Sequence, residues 1–201
     1  MGRDKALLPL GGENFLQYLI HLLHGEVSPL LIVLGHHADQ IERQAGLAHD
    51  AERAPAEPAS DLVVLRNPDY RHGQLSSLQV AVKYLLSTPA TGLLVSLVDH
   101  PATTRSTIRF LVDRFYKTNS PILIPTYQGR RGHPVIFARS VFQELLDAPL
   151  NEGARFVVHG HTAELDLIEM NEQGIVVDVD YPEDYRKFVE TDANSGGSES
   201  V

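Results

Sequence analysis

Short apolar runs alternate along this chain with segments in which apolar residues recur every three or four positions. Continuous runs predict strands, and they occupy residues 30–34, 62–65, 93–98 and 121–125. Recurrence at helical spacing predicts helices over residues 13–24, 38–47, 76–86 and 104–116. This alternation implies βαβ units with right-handed crossovers and a mainly parallel sheet.

The last third of the chain departs from strict alternation. A turn at 129–132 leads to predicted strands at 134–137, 165–168 and 175–177 and to predicted helices at 141–146, 153–158 and 182–189. We therefore expect an α/β fold with a mixed, mostly parallel sheet in one domain over residues 1–190. Residues 191–201 have almost no apolar content and predict a disordered tail. Residues 50–60, rich in Ala, Pro and Glu, predict an exposed loop.

The composition excludes several classes of protein. With 201 residues, of which 43% are hydrophobic, the chain fits one soluble globular domain. It has no cysteine, which excludes thiolate catalysis and cysteine-ligated metal sites. A formal net charge of −9 is unlike that of a general nucleic-acid binder, so no nucleic-acid partner is expected. No apolar run reaches the roughly 20 residues that span a bilayer, and no signal peptide is recognisable, so we expect a cytoplasmic location and no membrane partner.

Two acidic positions are candidate metal ligands. Asp99 ends the apolar run 93–98, and Asp180 follows Asp178 at a spacing that places both carboxylates on one side of an extended segment. Carboxylates at the carboxyl ends of strands are suited to holding Mg²⁺ together with substrate phosphates. Each position also fits a structural role, since either aspartate can cap a turn or the start of the helix that follows it.

Two segments carry candidate phosphate- or nucleotide-binding groups. Gly73, Ser76 and Ser77 stand at a predicted helix start, where backbone N–H groups and hydroxyls can receive a phosphate, a ribose or a base edge. A serine that only caps the start of the helix explains these residues equally well. Lys5 can neutralise phosphate charge as a point cation, although most lysines are solvated surface residues.

The chain has 10 histidines, but none of their spacings matches a two-histidine zinc motif on a helix. A more specific feature is the basic turn Gly129-Arg130-Arg131-Gly132-His133-Pro134, which feeds a predicted strand. A hairpin turn with solvated arginines is its structural alternative.

Five segments of this sequence, taken in order, resemble the MobA-like nucleotidyltransferase family. They are Met1-Gly2-x-x-Lys5-x-Leu7-Leu8-Pro9-Leu10, Asn67-Pro68 through Gly73 with Ser76-Ser77-Leu78, Asp99-x-Pro101, Gly129-Arg130-Arg131-Gly132-His133-Pro134-Val135, and Asp178-Val179-Asp180-Tyr181-Pro182-Glu183-Asp184-Tyr185. The resemblance extends over residues 1–190 and is nearest to the members that act as molybdenum cofactor cytidylyltransferases. It favours metal binding over capping at Asp99 and Asp180.

The resemblance implies a fold and an activity. The fold is a three-layer α/β/α sandwich with a Rossmann-like sheet, of the nucleotide-diphospho-sugar transferase type. The activity is Mg²⁺-dependent transfer of a nucleotidyl group, CMP from CTP in the first place, to the phosphate of molybdopterin with release of pyrophosphate. GTP is the alternative nucleotide, and a molybdoenzyme or its chaperone is a possible partner.

The resemblance also implies roles for individual residues. Lys5, Asp99 and Asp180 would form the catalytic group, in which Lys5 contacts phosphates and the two aspartates hold Mg²⁺. Residues that resemble nucleotide- or cofactor-binding positions, with the last two on the acceptor side, are Gly73, Ser76, Ser77, His100, Gly132 and His133.

Two departures from the family pattern change the expectation. The family's sequence normally has a strand and a Gly-rich loop directly before Met-Gly, and the chain begins at that methionine. We therefore expect a sheet with an unpaired groove or closed-up strands, possible self-association there, and little transferase activity. His100 stands where cytidylyl-transferring members usually carry Gln, which bears on nucleotide and acceptor choice.

Two other functions compete with this enzyme. One is a non-catalytic relative that binds a nucleotide or the cofactor and delivers it to a partner enzyme. The other is a sugar-phosphate nucleotidyltransferase, against which the segments at 132–134 and 178–185 argue.

Overall fold

The computed structural model describes residues 4–47 and 61–195, with side chains described as far as residue 190. Nine strands are present in this part of the chain: β1 Pro9–Leu10, β2 Glu13–Asn14, β3 Leu30–Leu34, β4 Leu62–Arg66, β5 Gly92–Val95, β6 Ile122–Tyr127, β7 Arg130–Arg131, β8 Val135–Ala138 and β9 Leu165–Glu169. The helices are α1 Phe15–Leu23, α2 Ala38–Gln44, α3 Gln74–Leu86, α4 Arg105–Lys117, α5 Phe142–Asp147, α6 Arg155–Gly160 and α7 Pro182–Ser195. No helix within the described ranges is long and apolar enough to cross a membrane.

The strands form an α/β fold of the three-layer type with a mixed, mostly parallel sheet. β6 is central to the larger sheet, where it pairs in parallel with β9 and antiparallel with β7 and β8. β8 also pairs antiparallel with β5, which makes β5 the end strand of that sheet. β3 and β4 form a separate parallel pair, with Leu30 opposite Leu62 and Leu34 opposite Arg66.

Local signals in the sequence explain where the helices begin. Asn14 accepts a hydrogen bond from the backbone N–H of Gln17 at 2.9 Å, and the Gln17 side chain accepts one from the backbone N–H of Asn14 at 3.0 Å. This reciprocal capping fixes the start of α1. Thr104 caps α4 in the same position, and Glu172 accepts from the backbone N–H of Thr104 at 2.9 Å.

Helices cover the sheet on both faces. On one face α3 and α5 pack on the larger sheet through Val82, Phe142 and Leu145, which are almost fully buried. On the other face α1 and α4 pack together through Leu19, Leu23 and Ile108. Both layers extend over the space between β3 and β5.

An apolar groove separates the β3–β4 pair from the larger sheet. It measures about 1810 Å³ and is lined on one side by residues 30–33 of β3 and on the other by residues 92–98. Among the described residues, no strand lies between β3 and β5. All four residues of β5 are consequently half-buried although three of them are apolar.

Several predicted elements differ from the structure. The strand predicted over 93–98 ends at Val95, and residues 96–99 form a loop and a turn that includes Asp99. The strand predicted at 175–177 is wrong, because residues 173–176 form a 3₁₀ turn whose Ile175 carbonyl accepts from the backbone N–H of His133. The last helix continues to residue 195, beyond the predicted end at 189 and past the predicted tail boundary at 191. The loop predicted over 50–60 and the end of the predicted tail, residues 196–201, lie outside the described residues.

Candidate functional site

Lys5, Asp99 and Asp180 meet at the carboxyl edge of the sheet. The Lys5 ammonium donates a hydrogen bond to Oδ2 of Asp99 at 3.2 Å and a second, short one to Oδ1 of Asp180. The Lys5 and Asp99 side chains are about three-quarters buried, whereas that of Asp180 is 48% exposed. One cation therefore bridges two carboxylates that are far apart in the sequence.

The fold brings this group together through three different elements. Lys5 lies in a 3₁₀ turn before β1, Asp99 in the turn after β5, and Asp180 just before α7. Val179, which is fully buried, anchors the last segment in a cluster with Leu8, Leu10 and Phe15. Because α7 also packs its Tyr185 and Phe188 rings against Phe15, the position of Asp180 is set by the core.

The contacts of Lys5 with the two carboxylates shift the pKa values of Lys5 and Asp180. Burial acts to lower the pKa of Lys5, but its hydrogen bonds with Asp180 and Asp99 outweigh burial and raise that pKa above its usual value. The hydrogen bond from Lys5 holds the pKa of the Asp180 carboxyl below its usual range. Lys5 and Asp180 are therefore both charged at neutral pH.

The donor set fits a divalent cation such as Mg²⁺, which in proteins is held by one or two carboxylates plus substrate phosphates. Asp99 and Asp180 supply those carboxylates, and the Lys5 ammonium that lies between them marks a position where positive charge is favourable. Within the described residues no group of three or more His, Cys, Asp or Glu side chains is arranged to hold a metal ion. A metal here would therefore complete its coordination with water or with oxygen atoms of a substrate.

A histidine pair adjoins the carboxylates. The rings of His100 and His133 lie with centroids 4.7 Å apart at an angle of 47°. Burial and, to a smaller extent, the neighbouring His100 lower the pKa of His133 to about 4, although the charge of Asp99 opposes both. His133 is therefore neutral at pH 7. Nδ1 of His100 is buried and has no hydrogen-bond partner among the described groups, which leaves a polar atom available to a ligand.

The turn that carries His133 is fixed by close backbone packing. Gly132 donates its backbone N–H to the carbonyl of Pro125 at 2.8 Å, and His133 donates its own to the carbonyl of Ile175 at 2.8 Å. A Cβ on Gly132 would lie 2.4 Å from the Ile175 carbonyl oxygen, so only glycine fits. The peptide bond between His133 and Pro134 is cis.

The predicted residues at the start of α3 form a second group, organised by Asn67. The buried Asn67 amide donates to the hydroxyls of Ser76 at 2.8 Å and Ser77 at 2.9 Å. Ser76 is itself buried and donates its hydroxyl to the carbonyl of Gly73 at 2.8 Å. Ser76 therefore shapes the loop, whereas Ser77 is only half-buried and lines the same groove as His133. Gly73, with φ of +95°, begins the helix in a conformation that favours glycine.

Sequence reasoning missed a second concavity at the ends of β3 and β4. It measures about 700 Å³ and is lined by His37, Arg43, Arg66 and Tyr70 among others. His37 Nδ1 lies 3.0 Å from a carboxylate oxygen of Asp4, the residue before Lys5. Only the tertiary structure joins Asp4 to His37, so no local pattern signals this contact. The Asn67-Pro68 dipeptide, by contrast, does signal the turn that Asn67 organises.

Comparisons with known proteins agree with this architecture. Residues 1–165 match the MobA-like NTP transferase domain family. The chain is 23% identical over 188 residues to the molybdenum cofactor cytidylyltransferase of Escherichia coli (strain K12), an alignment that covers 92% of this chain and 86% of that protein. Lys5, Asp99 and His133 lie within the family match, whereas Asp180 lies beyond it.

Solved structures resemble the whole fold. The structure of Rv0371c from Mycobacterium tuberculosis H37Rv is similar with a TM-score of 0.74 and 26% identity, covering 94% of this chain and 91% of that one. The complex of the same protein with manganese is similar with a TM-score of 0.71 and 27% identity, covering 94% of this chain and 93% of that one.

Proposed function

Because this chain belongs to the family of MobA-like NTP transferase domains, we propose that it is a Mg²⁺-dependent cytidylyltransferase that acts on molybdopterin. In this reaction a phosphate oxygen of the pterin attacks the α-phosphorus of CTP. The bond from that phosphorus to the bridging oxygen breaks, and pyrophosphate leaves with the electron pair. The observation that carries the proposal is the convergence of Lys5, Asp99 and Asp180 at the carboxyl edge of the sheet.

The residues have separate tasks in this reaction. Asp99 and Asp180 would hold Mg²⁺, which when bound neutralises charge that develops on the phosphates. Lys5 would exchange its carboxylate contacts for phosphate oxygens as the nucleotide enters. Phosphoryl transfer requires positioning and charge neutralisation rather than a covalent intermediate, and this group is suited to both.

The acceptor side is formed by the histidine pair. A neutral His133 offers one N–H donor and one acceptor rather than a charge, which suits the amide and ring nitrogens of a pterin. The free Nδ1 of His100 would gain a hydrogen bond when a ligand binds. Gly132 keeps the chain close to Ile175, so that His133 is held at the groove.

The nucleotide side is formed by the start of α3. Ser77 lines the groove and is positioned by Asn67, so its hydroxyl is the group best placed to meet a base or ribose. Ser76 and Gly73 would act through the shape of the loop.

A second candidate function is a non-catalytic binder that delivers the nucleotide or the cofactor to a partner enzyme. The open groove between β3 and β5 favours it, because no backbone loop lies there to cradle a triphosphate among the described residues.

One experiment separates the two functions. The purified chain is incubated with CTP, Mg²⁺ and molybdopterin, and CTP binding and pyrophosphate release are measured in parallel. If the chain is the enzyme, CTP binding depends on the metal and pyrophosphate release depends on the acceptor. Both should be lost in Asp99→Asn and kept in Asp113→Asn, which alters an exposed carboxylate on α4. Binding without release would favour the binder. Absence of CTP binding would refute the transferase and a binder that delivers the nucleotide.

A further inference from the structure

The 3₁₀ turn Gln173–Val176 supports the acceptor side of the candidate site. Its Ile175 carbonyl accepts a hydrogen bond from the backbone N–H of His133 at 2.8 Å. The same carbonyl oxygen lies where a Cβ on Gly132 would collide with it, and the Ile175 side chain is fully buried. The orientation of the His133 backbone therefore depends on where this turn lies.

The turn packs tightly against the segment that follows Asp99. A Cβ on Gly174 would lie 2.0 Å from the carbonyl oxygen of Ala102, so the two backbones are in direct contact there. Next to Ala102, the buried Thr103 donates its hydroxyl to the carbonyl of His133 at 3.4 Å. The turn and this segment thus bind the backbone N–H and the backbone carbonyl of His133, respectively.

Glu172, directly before the turn, anchors it to the start of α4. Its carboxylate accepts from the backbone N–H of Thr104 at 2.9 Å, from the Thr104 hydroxyl at 3.0 Å, and through a short hydrogen bond from the hydroxyl of the buried Thr107. Hydrogen bonds to an ionised carboxylate are stronger than those between neutral groups, and negative charge is favourable at a helix N-terminus. Glu172 and Thr104 are 68 positions apart, so this contact is a tertiary anchor.

We propose that Glu172 is a positioning residue for the acceptor side, which fastens the 3₁₀ turn to α4 and thereby sets the orientation of His133. It acts through the Ile175 carbonyl and does not itself meet the substrate. Asp180 lies further along the same segment but is held separately by the buried Val179. The kinetic part of the proposal rests on the transferase proposed above, whereas its structural part is tested without substrate.

The first test uses the full chain alone. In Glu172→Ala, hydrogen exchange is measured at the backbone amide of His133 and at the amides of β6, and the His133 ring resonances are recorded. We expect the His133 amide to exchange at least about tenfold faster and its ring resonances to shift, with a smaller change in β6. Asp113→Ala, which removes an exposed carboxylate of α4, should alter none of these signals. An unchanged His133 amide, or equal acceleration in β6, would overturn the proposal.

Two further variants test the contact itself. Glu172→Gln keeps an oxygen that can accept from the Thr104 N–H, so it should restore most of the protection of the His133 amide. Thr107→Val removes one donor to Glu172 while keeping the shape of the side chain, so that amide should again exchange faster. Its effect should be absent when Glu172 is already alanine, because both changes break the same contact. A glutamine no better than alanine, or additive effects of the two changes, would contradict the anchor.

Kinetics assign the effect to one substrate. Glu172→Ala should raise KM for molybdopterin by at least about fivefold and change KM for CTP less than about twofold, because Ser77 on the nucleotide side is positioned by Asn67 instead. Mn²⁺ binding, measured by water-proton relaxation, should stay as in the parent, since the two carboxylates remain tied through Val179. Equal changes in both KM values would make Glu172 a general support and overturn the proposal. Absence of turnover in the parent would refute the transferase, while the exchange results would still decide the role of Glu172.

Discussion

The backbone N–H of Val179 donates a hydrogen bond to the carbonyl oxygen of Asp99 at 2.8 Å. This bond ties the turn after β5 to the segment before α7. Because Val179 is fully buried, packing of the core places the neighbouring Asp180 near Asp99, independently of the ion pair between Asp180 and Lys5. Two like-charged carboxylates can therefore be held together even when Lys5 is drawn away by a phosphate.

This arrangement predicts the effect of removing one carboxylate. Asp180→Asn should weaken Mn²⁺ binding by at least about tenfold, measured by water-proton relaxation, because one of two charged ligands is lost. Thermal stability should change little, since the side chain is 48% exposed. Asp113→Asn on α4 is the control and should bind metal as the parent does. Unchanged metal affinity in Asp180→Asn would remove this residue from the site.

Replacing Lys5 tests the electrostatic coupling. Lys5 lowers the pKa of Asp180, so the interaction is present above the usual carboxyl pKa and is lost as pH falls through the lowered value in the folded state. Lys5→Met should therefore raise the pKa of Asp180, measured by the carboxyl carbon shift in an NMR titration. Lys83→Met, on the exposed side of α3, should leave the Asp180 titration where it was. An unshifted Asp180 in Lys5→Met would contradict the ion pair.

A methyl group at Gly132 should disturb the acceptor side. Gly132→Ala brings its Cβ to 2.4 Å from the Ile175 carbonyl oxygen, and relief requires the backbone to move. We expect a loss of about 1–3 kcal/mol in unfolding free energy by urea denaturation, together with a shift of the His133 ring resonances. Gly160→Ala is the matched control, since nothing lies within 4 Å of its Cβ. Equal stability of the two variants would show that the turn is looser than described.

The buried His133 predicts a pH dependence of stability. Its pKa is about 4 when folded, against a usual value near 6.5, so the unfolded chain binds more protons between these limits. Stability should therefore fall as pH drops from about 6.5 towards 4, by up to about 3 kcal/mol from this residue. His133→Gln should flatten that part of the curve of unfolding free energy against pH, whereas replacement of the exposed His72 by Gln should not. An identical slope in His133→Gln would place the pH dependence elsewhere.

Local sequence patterns predicted some elements correctly and failed where contacts between residues distant in the sequence determine the backbone conformation. The apolar stripe predicted α1, because a helix with one buried face has apolar residues every three or four positions. The continuous apolar run predicted β3, because a strand that is covered on both faces is apolar throughout. Leu97 and Val98 continue the apolar run after Ser96, yet Val98 packs into the clusters around Phe15 and Leu19 from a turn. Residues 175–177 look like a strand, but Ile175 gives its carbonyl to His133 instead of a ladder.

The candidate site shows the same division. The sequence alone placed Asp99 and Asp180 near strand or helix ends, with capping as an open alternative. The resemblance grouped Lys5 with them as a phosphate contact, and its hydrogen bonds to both carboxylates are visible only in the structure. The contact of Asn67 with Ser77 and the contact of Asp4 with His37 are visible only in the structure.

Base choice gives the last prediction, namely a preference for CTP over GTP. The Ser77 hydroxyl lies at the edge of the groove, and Leu78 packs against the core, so widening the pocket for a purine would displace the start of α3. Discrimination should come from hydrogen bonds, because a site built for polar base edges rejects a base that leaves them unpaired. Measurement of kcat/KM for both nucleotides, with molybdopterin as acceptor, should favour CTP by at least about tenfold. Ser77→Ala should reduce that ratio, whereas Ser87→Ala, beyond the far end of α3, should preserve it. A preference for GTP or equal use of both would refute the prediction, and a ratio unchanged in Ser77→Ala would assign base selection to another residue.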